Sequence, residues 1–384
     1  MGWDLGLDRV SEVGRRLKVL HPAVTTVLVA GTNGKGSTCE YLERFAMANG
    51  LSVGKSTSPH IHQFNERIAI DGVPVPDQSI VRAFQEIESA RKEITLTYFE
   101  FATLASLLLF CEQKVDVAIL EVGLGGRLDA MNIVDPDLTI ITHISLDHQD
   151  WLGNTRAEIA REKAGIMRAG VSCIVADRDP PESVYEYALE IGASLYIIGR
   201  DFESLEDIDT VLPRDSFDAA QQASKMLGWD VSGSEEIGVT TRLTGRRTVI
   251  KDKCEVLLDV AHNPAAAASL AEHLRAHWDG RDIHAVIGMY KDKDIESVSG
   301  ILMPLFKTCH LTNLDEPRGE DADRILGRLS VKPAGNVETY VNIEDALDGA
   351  RKEASPADLI LVCGSFPVVS GVLQLLSQTA LTKN

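Results

Sequence analysis

Short, continuous apolar runs alternate with helical patterns along the first part of the chain. Apolar runs of this kind are typical of parallel strands that are covered by helices on both faces, so the pattern predicts an α/β fold. The predicted strands are Val24 to Ala30, Val115 to Val122, Leu138 to Ile144, Val171 to Ala176 and Ser194 to Ile198. The predicted helices are Ser37 to Ala48, which Asn49 and Gly50 end, and Thr155 to Arg168, which Gly170 follows.

A polar, irregular stretch from about Ser232 to Arg247 interrupts this alternation and is interpreted as a linker. The alternation then restarts with predicted strands at Glu255 to Val260, Ile283 to Met289, Thr308 to Thr312, Val337 to Val341 and Leu359 to Cys363, and a helix at Pro264 to Trp278. Since 384 residues exceed the size at which one hydrophobic core stops growing, two domains are expected, at residues 1–240 and 241–384.

The net charge of −19 makes nucleic acid or an anionic membrane an unfavourable partner. The N-terminal residues lack a basic region followed by an apolar stretch, and the apolar run from Phe101 to Phe110 is too short to span a bilayer. The six cysteines form no Cys-x-x-Cys pair and are interpreted as buried free thiols of a reducing compartment. A cytoplasmic location is therefore expected.

A glycine-rich loop follows the first predicted strand and begins a helix. Its glycines allow successive backbone N–H groups to point at one phosphate, and Lys35 and Ser37 offer an ammonium group and a hydroxyl for Mg²⁺. Its residues are Gly31, Thr32, Asn33, Gly34, Lys35, Gly36, Ser37 and Thr38. The loop is shorter than the standard phosphate-binding motif, but strand, loop, lysine, hydroxyl and helix occur in the expected order, so an ordinary βα turn is the weaker explanation.

Three further residues fall where ligands bind in parallel sheets. Glu121 ends one predicted strand and His148 follows the next, so both should lie at the edge that carries the phosphate loop. A surface acid and a structural histidine are the alternatives for these two positions. Lys163 lies on the following helix, and from the residues alone it is better explained as a salt-bridged helix lysine.

At this point the chain resembles a known family. The segments GTNGKGS, TSPHIHQFNERIAIDG, LEVGLGGRLDAMNIV, LDHQDWLG, REKAGI, LLDVAHNP, VIGMYKDKD and CGSF occur in order from about Asp4 to Phe366. They are similar to segments of the Mur ligase family, and within it of the bifunctional dihydrofolate synthase/folylpolyglutamate synthases. The resemblance implies an N-terminal P-loop ATPase domain, which is the Mur ligase central domain, and a smaller Rossmann-like glutamate-ligase domain, with the active site in the cleft between them.

The resemblance also implies an activity and its ligands. It predicts a monomeric enzyme that uses ATP and Mg²⁺, with two ions expected and a monovalent cation as a further candidate, to join L-glutamate to dihydropteroate, to tetrahydrofolate or to both through an acyl phosphate. A folylpolyglutamate synthase without dihydrofolate synthase activity is the alternative, since the residues do not determine whether both activities are present. Glutamate chain length and linkage are likewise left open.

The resemblance assigns roles to individual residues. Lys35, Glu121, His148 and Lys163, the last as a carbamylated lysine, would be catalytic. The metal ligands would be Ser37, Ser58, Glu121, His148 and Lys163. Arg246, Asp259 and His262 would complete the ATP site that the phosphate loop begins. The pterin contacts would come from Leu96, Thr97, Tyr98, Phe99, Leu128, Asp129 and Ala130. Without the resemblance, Tyr98 and Phe99 would be interpreted as core aromatics.

Three positions depart from the family pattern: Arg246 is followed by Arg247 rather than Phe, Met131 stands where Thr is usual, and Ser216 stands where Asn is usual. Two other functions are alternatives to this ligase. A Mur-type cell-wall ligase would carry an additional N-terminal domain before the phosphate loop. A P-loop switch or motor would need neither His148 nor Lys163.

Overall fold

The computed structural model describes residues 6–203 and 208–382 and divides into two compact units, Met1–Thr241 and Arg242–Asn384. Residues 1–5, part of the segment judged to lack a signal peptide, lie outside the described residues. Both units are α/β, so the predicted fold class is confirmed.

The first unit contains an eight-stranded sheet with the order β4-β3-β2-β5-β1-β6-β7-β8. The strands are β1 Thr25–Ala30, β2 Val53–Ser56, β3 Ile68–Ile70, β4 Val73–Pro74, β5 Val117–Glu121, β6 Leu138–Ile141, β7 Ser172–Val175 and β8 Ser194–Ile197. The helices are α1 Asp8–Leu17, α2 Lys35–Ala48, α3 Asp77–Arg91, α4 Tyr98–Gln113, α5 Gln149–Leu152, α6 Arg156–Ala164, α7 Glu182–Ile191, α8 Arg214–Met226 and α9 Ser234–Thr240.

All pairings in this sheet are parallel except those of the β3–β4 hairpin and of β3 with β2. The central strand β1 pairs with β5 on one side and β6 on the other, in a register that sets Val29 opposite Glu121 and Ala30 opposite Ile141. The carboxyl ends of β5, β1 and β6 therefore meet at one edge of the sheet. That arrangement brings the loops after these strands together.

The linker prediction was wrong in part. Ser234–Thr240 forms helix α9 within the first unit, where Ile237 is buried and Gln221 of α8 donates a hydrogen bond to Ser234 Oγ at 2.8 Å. The segment contains many polar residues because one face of this short helix is exposed. Seven residues make only about two helical turns, which is too short for the apolar periodicity of a helix to be recognised in the sequence.

The second unit contains a six-stranded sheet with the order β13-β12-β11-β14-β10-β9, in which only the β9–β10 pairing is antiparallel. The strands are β9 Thr248–Lys251, β10 Glu255–Leu258, β11 Ile283–Ile287, β12 Thr308–Thr312, β13 Val337–Tyr340 and β14 Leu359–Cys363. The helices are α10 Pro264–His277, α11 Ile295–Leu302, α12 Ala322–Gly327, α13 Ile343–Glu353 and α14 Phe366–Thr382.

The apolar run from Phe101 to Phe110 lies inside α4, a buried helix of the first unit. Among the described residues, no helix is long and apolar enough to cross a membrane. The six cysteines are free thiols, and all are buried except the half-buried Cys111.

A buried ion cluster attaches α2 to the sheet. Lys55 on β2 donates to the carboxylates of Glu40 and Glu43 on α2, and the three residues are at most 8% exposed. Glu43 also accepts a hydrogen bond from the backbone N of Gly72 in the β3–β4 turn at 3.1 Å. The cluster thus links the helix that follows the glycine-rich loop to one side of the sheet.

We predict that Lys55→Met destabilises the first unit by about 3–5 kcal/mol, because two buried carboxylates lose their shared cation. The matched control is Arg82→Met, which removes an exposed arginine that also contacts two glutamates and should cost less than about 1 kcal/mol. Urea unfolding of both variants measures the difference. Equal midpoints for the two variants would contradict this account.

Candidate active site

The glycine-rich loop is held in a conformation that its glycines permit. Gly31 has φ +149°, and a Cβ atom there would lie 1.7 Å from Thr142 Oγ1, so no larger residue fits against β6. Gly34 has φ +91° and immediately precedes α2. Ser37 and Thr38 lie in the first turn of this helix, where Thr38 Oγ1 is buried without a hydrogen-bond partner. Helix start and loop together form the geometry of an anion site.

Two lysines converge on this loop. Lys35 Nζ donates to the carbonyl oxygens of Gly31 at 3.0 Å and of Thr32 at 3.2 Å. Lys163 Nζ donates to the same Gly31 oxygen at 2.9 Å, although it lies 132 residues away in sequence. The interpretation of Lys163 as a salt-bridged helix lysine was therefore wrong, since its side chain points inward and its partner is a backbone carbonyl.

The environment of Lys163 favours its neutral form. Lys163 is 3% exposed. Burial, followed by the nearby positive charge of Lys35, lowers its pKa from 10.5 to about 7. A lysine with this pKa is uncharged in a substantial fraction of molecules near neutral pH, and an uncharged amine is a nucleophile.

The segment after β6 is bonded to the glycine-rich loop. Thr32 N donates to the carbonyl oxygen of His143 at 2.8 Å, and Thr32 Oγ1 donates to that of Ser145 at 3.1 Å. The side-chain amide of Asn33 lies 3.5 Å from Ser145 Oγ. His148 follows three residues later, half-buried, and precedes α5 with φ +52°. The backbone that leads to His148 is therefore bonded to the glycine-rich loop, and the placement of the His148 side chain beside the loop stays a prediction.

Sequence reasoning missed the residue that holds this segment, Asp177, which lies just after β7. Asp177 accepts hydrogen bonds from Ile144 N at 2.8 Å and from Arg156 at 3.0 Å. Burial would raise the pKa of Asp177, but the hydrogen bonds from His143 and from Ile144 N outweigh it and bring the pKa to about 2. The carboxylate therefore stays ionised. In the sequence, the only indication of the role of Asp177 is its position just after β7, the strand that pairs with β6.

Glu121 and Ser58 are brought together on the other side of β1. Glu121 ends β5, is 4% exposed, and accepts a hydrogen bond from Ser58 N at 3.0 Å. The alternative of an exposed surface acid is excluded by this burial. Two predicted metal ligands are thus neighbours at the same sheet edge as the glycine-rich loop.

The residues predicted to contact a pterin lie in two segments. Thr97 caps α4 and exchanges hydrogen bonds with Glu100, and Leu96 is buried. Tyr98 is 53% exposed, which is inconsistent with a core aromatic, whereas Phe99 packs against Gly123 so closely that a Cβ there would lie 2.6 Å from its ring.

The second segment, Leu128 to Ala130, leads into a short 3₁₀ helix that spans Ala130–Ile133. Asp129 accepts hydrogen bonds from Leu124 N and Met131 N, both at 2.9 Å. Burial is the largest influence on this carboxyl and raises its pKa to about 6. Asp129 therefore organises the loop after β5 with both of its oxygens, while Leu128 is half-buried and Ala130 is buried.

An arginine and a phenylalanine that were not selected from the sequence lie beside Tyr98. The guanidinium carbon of Arg67 lies 5.5 Å from the centre of the Tyr98 ring and 5.7 Å from that of Phe64. Arg67 Nε also donates to His60 Nδ1 at 2.8 Å. Arg67 and Phe64 both belong to the TSPHIHQFNERIAIDG segment, in which only Ser58 is assigned a role from the sequence.

Ser216 lies against the glycine-rich loop. It is in the first turn of α8, and its hydroxyl donates to the carbonyl oxygen of Gly34 at 3.3 Å. The departure from Asn at this position therefore falls directly on the phosphate loop, which the sequence had not indicated.

The selected residues of the second unit lie at the carboxyl ends of β10 and β14. Asp259 accepts hydrogen bonds from Arg247 N at 3.0 Å and Ala261 N at 2.9 Å. The Arg246 guanidinium lies 4.8 Å from the centre of the Phe366 ring, and the His262 ring centre lies 6.4 Å from the same ring. The structure therefore brings Arg246 and His262 together around Phe366, a residue of the CGSF segment that sequence reasoning did not select.

Comparison with known proteins gives the family. The Mur ligase middle domain matches residues 29–250, and the Mur ligase glutamate ligase domain matches residues 245–366. The chain is 40% identical over 391 residues to the dihydrofolate synthase/folylpolyglutamate synthase of Escherichia coli K12, covering 97% of this chain and 92% of that protein.

Solved structures agree with this relationship. The structure of E. coli FolC in complex with DHPP and ADP matches with a TM-score of 0.94 and 39% identity, over 99% of this chain and 95% of that one. A bifunctional folylpolyglutamate synthase/dihydrofolate synthase with Mn, AMPPNP and L-glutamate bound matches with a TM-score of 0.91 and 38% identity, over 98% and 95% of the two chains. The chain therefore belongs to the Mur ligase family, among the dihydrofolate synthase/folylpolyglutamate synthases.

Proposed function

We propose that this protein is an ATP-dependent ligase that joins L-glutamate to dihydropteroate and to reduced folates through an acyl phosphate. The observation that carries the proposal is the convergence of Lys35 and Lys163 on the Gly31 carbonyl, beside Glu121 at the same sheet edge. A phosphoryl group placed at this edge would lie against the start of α2 and an ammonium group. This is the charge arrangement that phosphoryl transfer requires.

The chemistry follows from the poor reactivity of a carboxylate, whose leaving group would be oxide. Transfer of the γ-phosphoryl group of ATP to the carboxylate of the pteroyl substrate forms an acyl phosphate and ADP. The amine of glutamate then attacks the acyl carbon, phosphate leaves, and the amide forms with loss of a proton. Lys35 neutralises the phosphates, and the backbone of the loop from Gly31 to Thr38 orients them. No covalent enzyme intermediate is needed.

The residues present fit a divalent cation. Glu121, Ser58, Ser37 and His148 offer the carboxylate, hydroxyl and imidazole ligands that Mg²⁺ and Mn²⁺ accept, and a carbamate on Lys163 would add two oxygens. Mg²⁺ bound there supplies positive charge against the transferred phosphoryl group. The relative solved with Mn, AMPPNP and L-glutamate supports the same cofactors for this chain.

The pteroyl substrate is assigned to the segments around Leu96 to Phe99 and Leu128 to Ala130. Tyr98 offers an exposed ring for stacking, and Arg67 lies beside it as a cation for a substrate carboxylate. The complex of E. coli FolC with DHPP and ADP supports a pterin site of this kind. In the second unit, Arg246, Asp259 and His262 are assigned to the nucleotide. Residues 1–240 thus form the ATP-binding domain and 241–384 the glutamate-ligase domain.

A folylpolyglutamate synthase without dihydrofolate synthase activity remains the second candidate. Phosphate release from ATP distinguishes the two, when measured with glutamate plus dihydropteroate, with glutamate plus tetrahydrofolate, and with glutamate alone. Release with both pteroyl substrates supports the bifunctional enzyme, and release with tetrahydrofolate only supports the second candidate. Release without any pteroyl substrate at an equal rate would contradict both. We further infer a cytoplasmic monomer. The net charge of −19 disfavours nucleic-acid partners.

We predict that Lys35→Ala and Glu121→Ala each reduce ligation at least about 100-fold, because each removes a group that acts on the transferred phosphoryl or its cation. Lys225→Ala and Glu186→Ala are the matched controls, since both residues are exposed: Glu186 lies on α7, and Lys225 lies near the end of α8, nine residues beyond Ser216. Circular dichroism should show unchanged secondary structure in all four variants. Wild-type turnover in either of the first two would refute the assigned role.

Lys163→Ala should be nearly inactive and should recover part of its activity in acetate or formate, since a small carboxylate can replace a carbamate. Two further variants serve as comparisons: Lys163→Arg, which cannot form a carbamate, and Lys35→Ala. Neither should recover. If no carboxylate restores any activity to Lys163→Ala, the carbamate assignment is wrong.

Carbamate formation on Lys163 should also increase with pH. CO₂ reacts with the neutral amine, and a pKa of about 7 makes that fraction about one tenth at pH 6 and about nine tenths at pH 8. With ¹³C-labelled bicarbonate, NMR should therefore detect a carbamate signal that is strong at pH 8, weak at pH 6 and absent in Lys163→Ala. A wild-type spectrum identical to that of the variant at pH 8 would exclude the modification.

A further inference from the structure

Two buried histidines and a glutamate form a compact group in the second unit, away from the residues assigned to the nucleotide. His284 lies on β11, His310 on the neighbouring strand β12, and Glu353 at the end of α13. The side chains of both histidines are 1% exposed, whereas that of Glu353 is 32% exposed. One ligand atom from each residue lies within 4.8 Å of the others. These three residues are called the histidine cluster below.

The hydrogen bond between His310 and Tyr340 determines which nitrogen of His310 carries the proton. His310 Nδ1 lies 3.2 Å from the hydroxyl of Tyr340, and that hydroxyl donates its own hydrogen to Glu338 at 2.5 Å. The Tyr340 oxygen can therefore only accept from His310. This places the hydrogen on Nδ1 and leaves a lone pair on Nε2, which faces the cluster. Burial also lowers the pKa of His310, which favours the neutral ring.

The same reasoning applies to His284. Its Nε2 is buried, has no hydrogen bond of good geometry, and lies 3.5 Å from Asp358 Oδ2. A carboxylate can only accept, so Nε2 carries a hydrogen toward Asp358, and Nδ1 is the nitrogen of His284 that faces the cluster. A histidine whose outer nitrogen faces a carboxylate is the usual arrangement of a metal ligand.

The interior of the cluster contains more acceptors than hydrogens. His284 Nδ1 lies 3.8 Å and His310 Nε2 lies 3.6 Å from Glu353 Oε2. Thr308 Oγ1 lies 2.8 Å from His284 Nδ1 and 3.1 Å from His310 Nε2. The single hydroxyl hydrogen of Thr308 can be donated to only one of these two ring nitrogens. Buried acceptors left without a donor are costly, so the arrangement favours a cation.

We propose that His284, His310 and Glu353 bind a divalent transition-metal ion, with zinc as the preferred ion. Two imidazoles and one carboxylate suit zinc better than magnesium, which prefers oxygen ligands. Ligand atoms of a tetrahedral zinc site are about 3.3 Å apart. The two nitrogen–oxygen distances of 3.6 and 3.8 Å need to contract by a few tenths of an ångström, and all three ligand atoms already lie within 4.8 Å of one another. The half-exposed Glu353 gives the ion an entry route, and the site would connect β11, β12 and α13.

The test uses the full chain, freed of metal with a chelator and held in excess Mg²⁺ to occupy oxygen-ligand sites. Titration with Co²⁺, a spectroscopic substitute for zinc, should give the intense visible absorption of tetrahedral Co²⁺ at one equivalent, and Zn²⁺ should abolish it. Glu353→Gln and His310→Gln should bind Co²⁺ at least about 10-fold more weakly. Zn²⁺ should raise the melting temperature of the wild type but not of Glu353→Gln.

A second histidine pair supplies the matched control. His273 and His277 lie one helical turn apart on α10, with ring centres 4.4 Å apart, and could bind Co²⁺ at the surface. His277→Gln should therefore keep the tetrahedral absorption of the wild type. If His277→Gln loses it, or if Glu353→Gln keeps it, the proposal is overturned. Absence of any tetrahedral absorption in the wild type overturns it as well, and the cluster is then a network that shares protons.

Discussion

The carbonyl oxygen of Gly31 is the point on which the candidate active site depends. It accepts hydrogen bonds from Lys35, which begins α2, and from Lys163, which lies near the end of α6. Gly31 lies directly against Thr142 at the end of β6, where a Cβ atom would lie 1.7 Å from Thr142 Oγ1, so only glycine fits at this position. A single backbone group thus connects the glycine-rich loop to Lys163, whose pKa is lowered to about 7.

This arrangement explains why Lys163 differs from an ordinary lysine. A buried ammonium group without a carboxylate partner at bonding distance is costly, and the neighbouring charge of Lys35 adds to the cost. The neutral amine is favoured as a result, and a neutral amine can react with CO₂. Burial therefore lowers the pKa of Lys163 and is consistent with the carbamate proposed for this residue.

The sheet of the second unit carries two kinds of chemistry at different places. Asp259, Arg246 and His262 lie at the carboxyl ends of the strands, where ligands bind in open α/β sheets. His284 lies near the start of β11 and His310 at the middle of β12, beneath α13. The first group belongs to the proposed nucleotide site, whereas the histidine cluster would act by holding β11, β12 and α13 together. Loss of the cluster is therefore expected to affect stability more than chemistry.

Local patterns in the chain were sufficient for the parallel strands, the glycine-rich loop and the position of Glu121 at the end of β5, because these depend on residues close in sequence. They failed for α9, whose seven residues are too few for a periodic signal. They also failed for Lys163, which the residues alone indicated to be a salt-bridged helix lysine, and for Asp177, Ser216 and the histidine cluster. In each of these cases the partner is distant in sequence: Ser216 meets Gly34 across 182 residues, and Lys163 meets Gly31 across 132. Burial and proton affinity arise only once such partners are packed together, which is why folding, and not local pattern, sets the chemistry of these side chains.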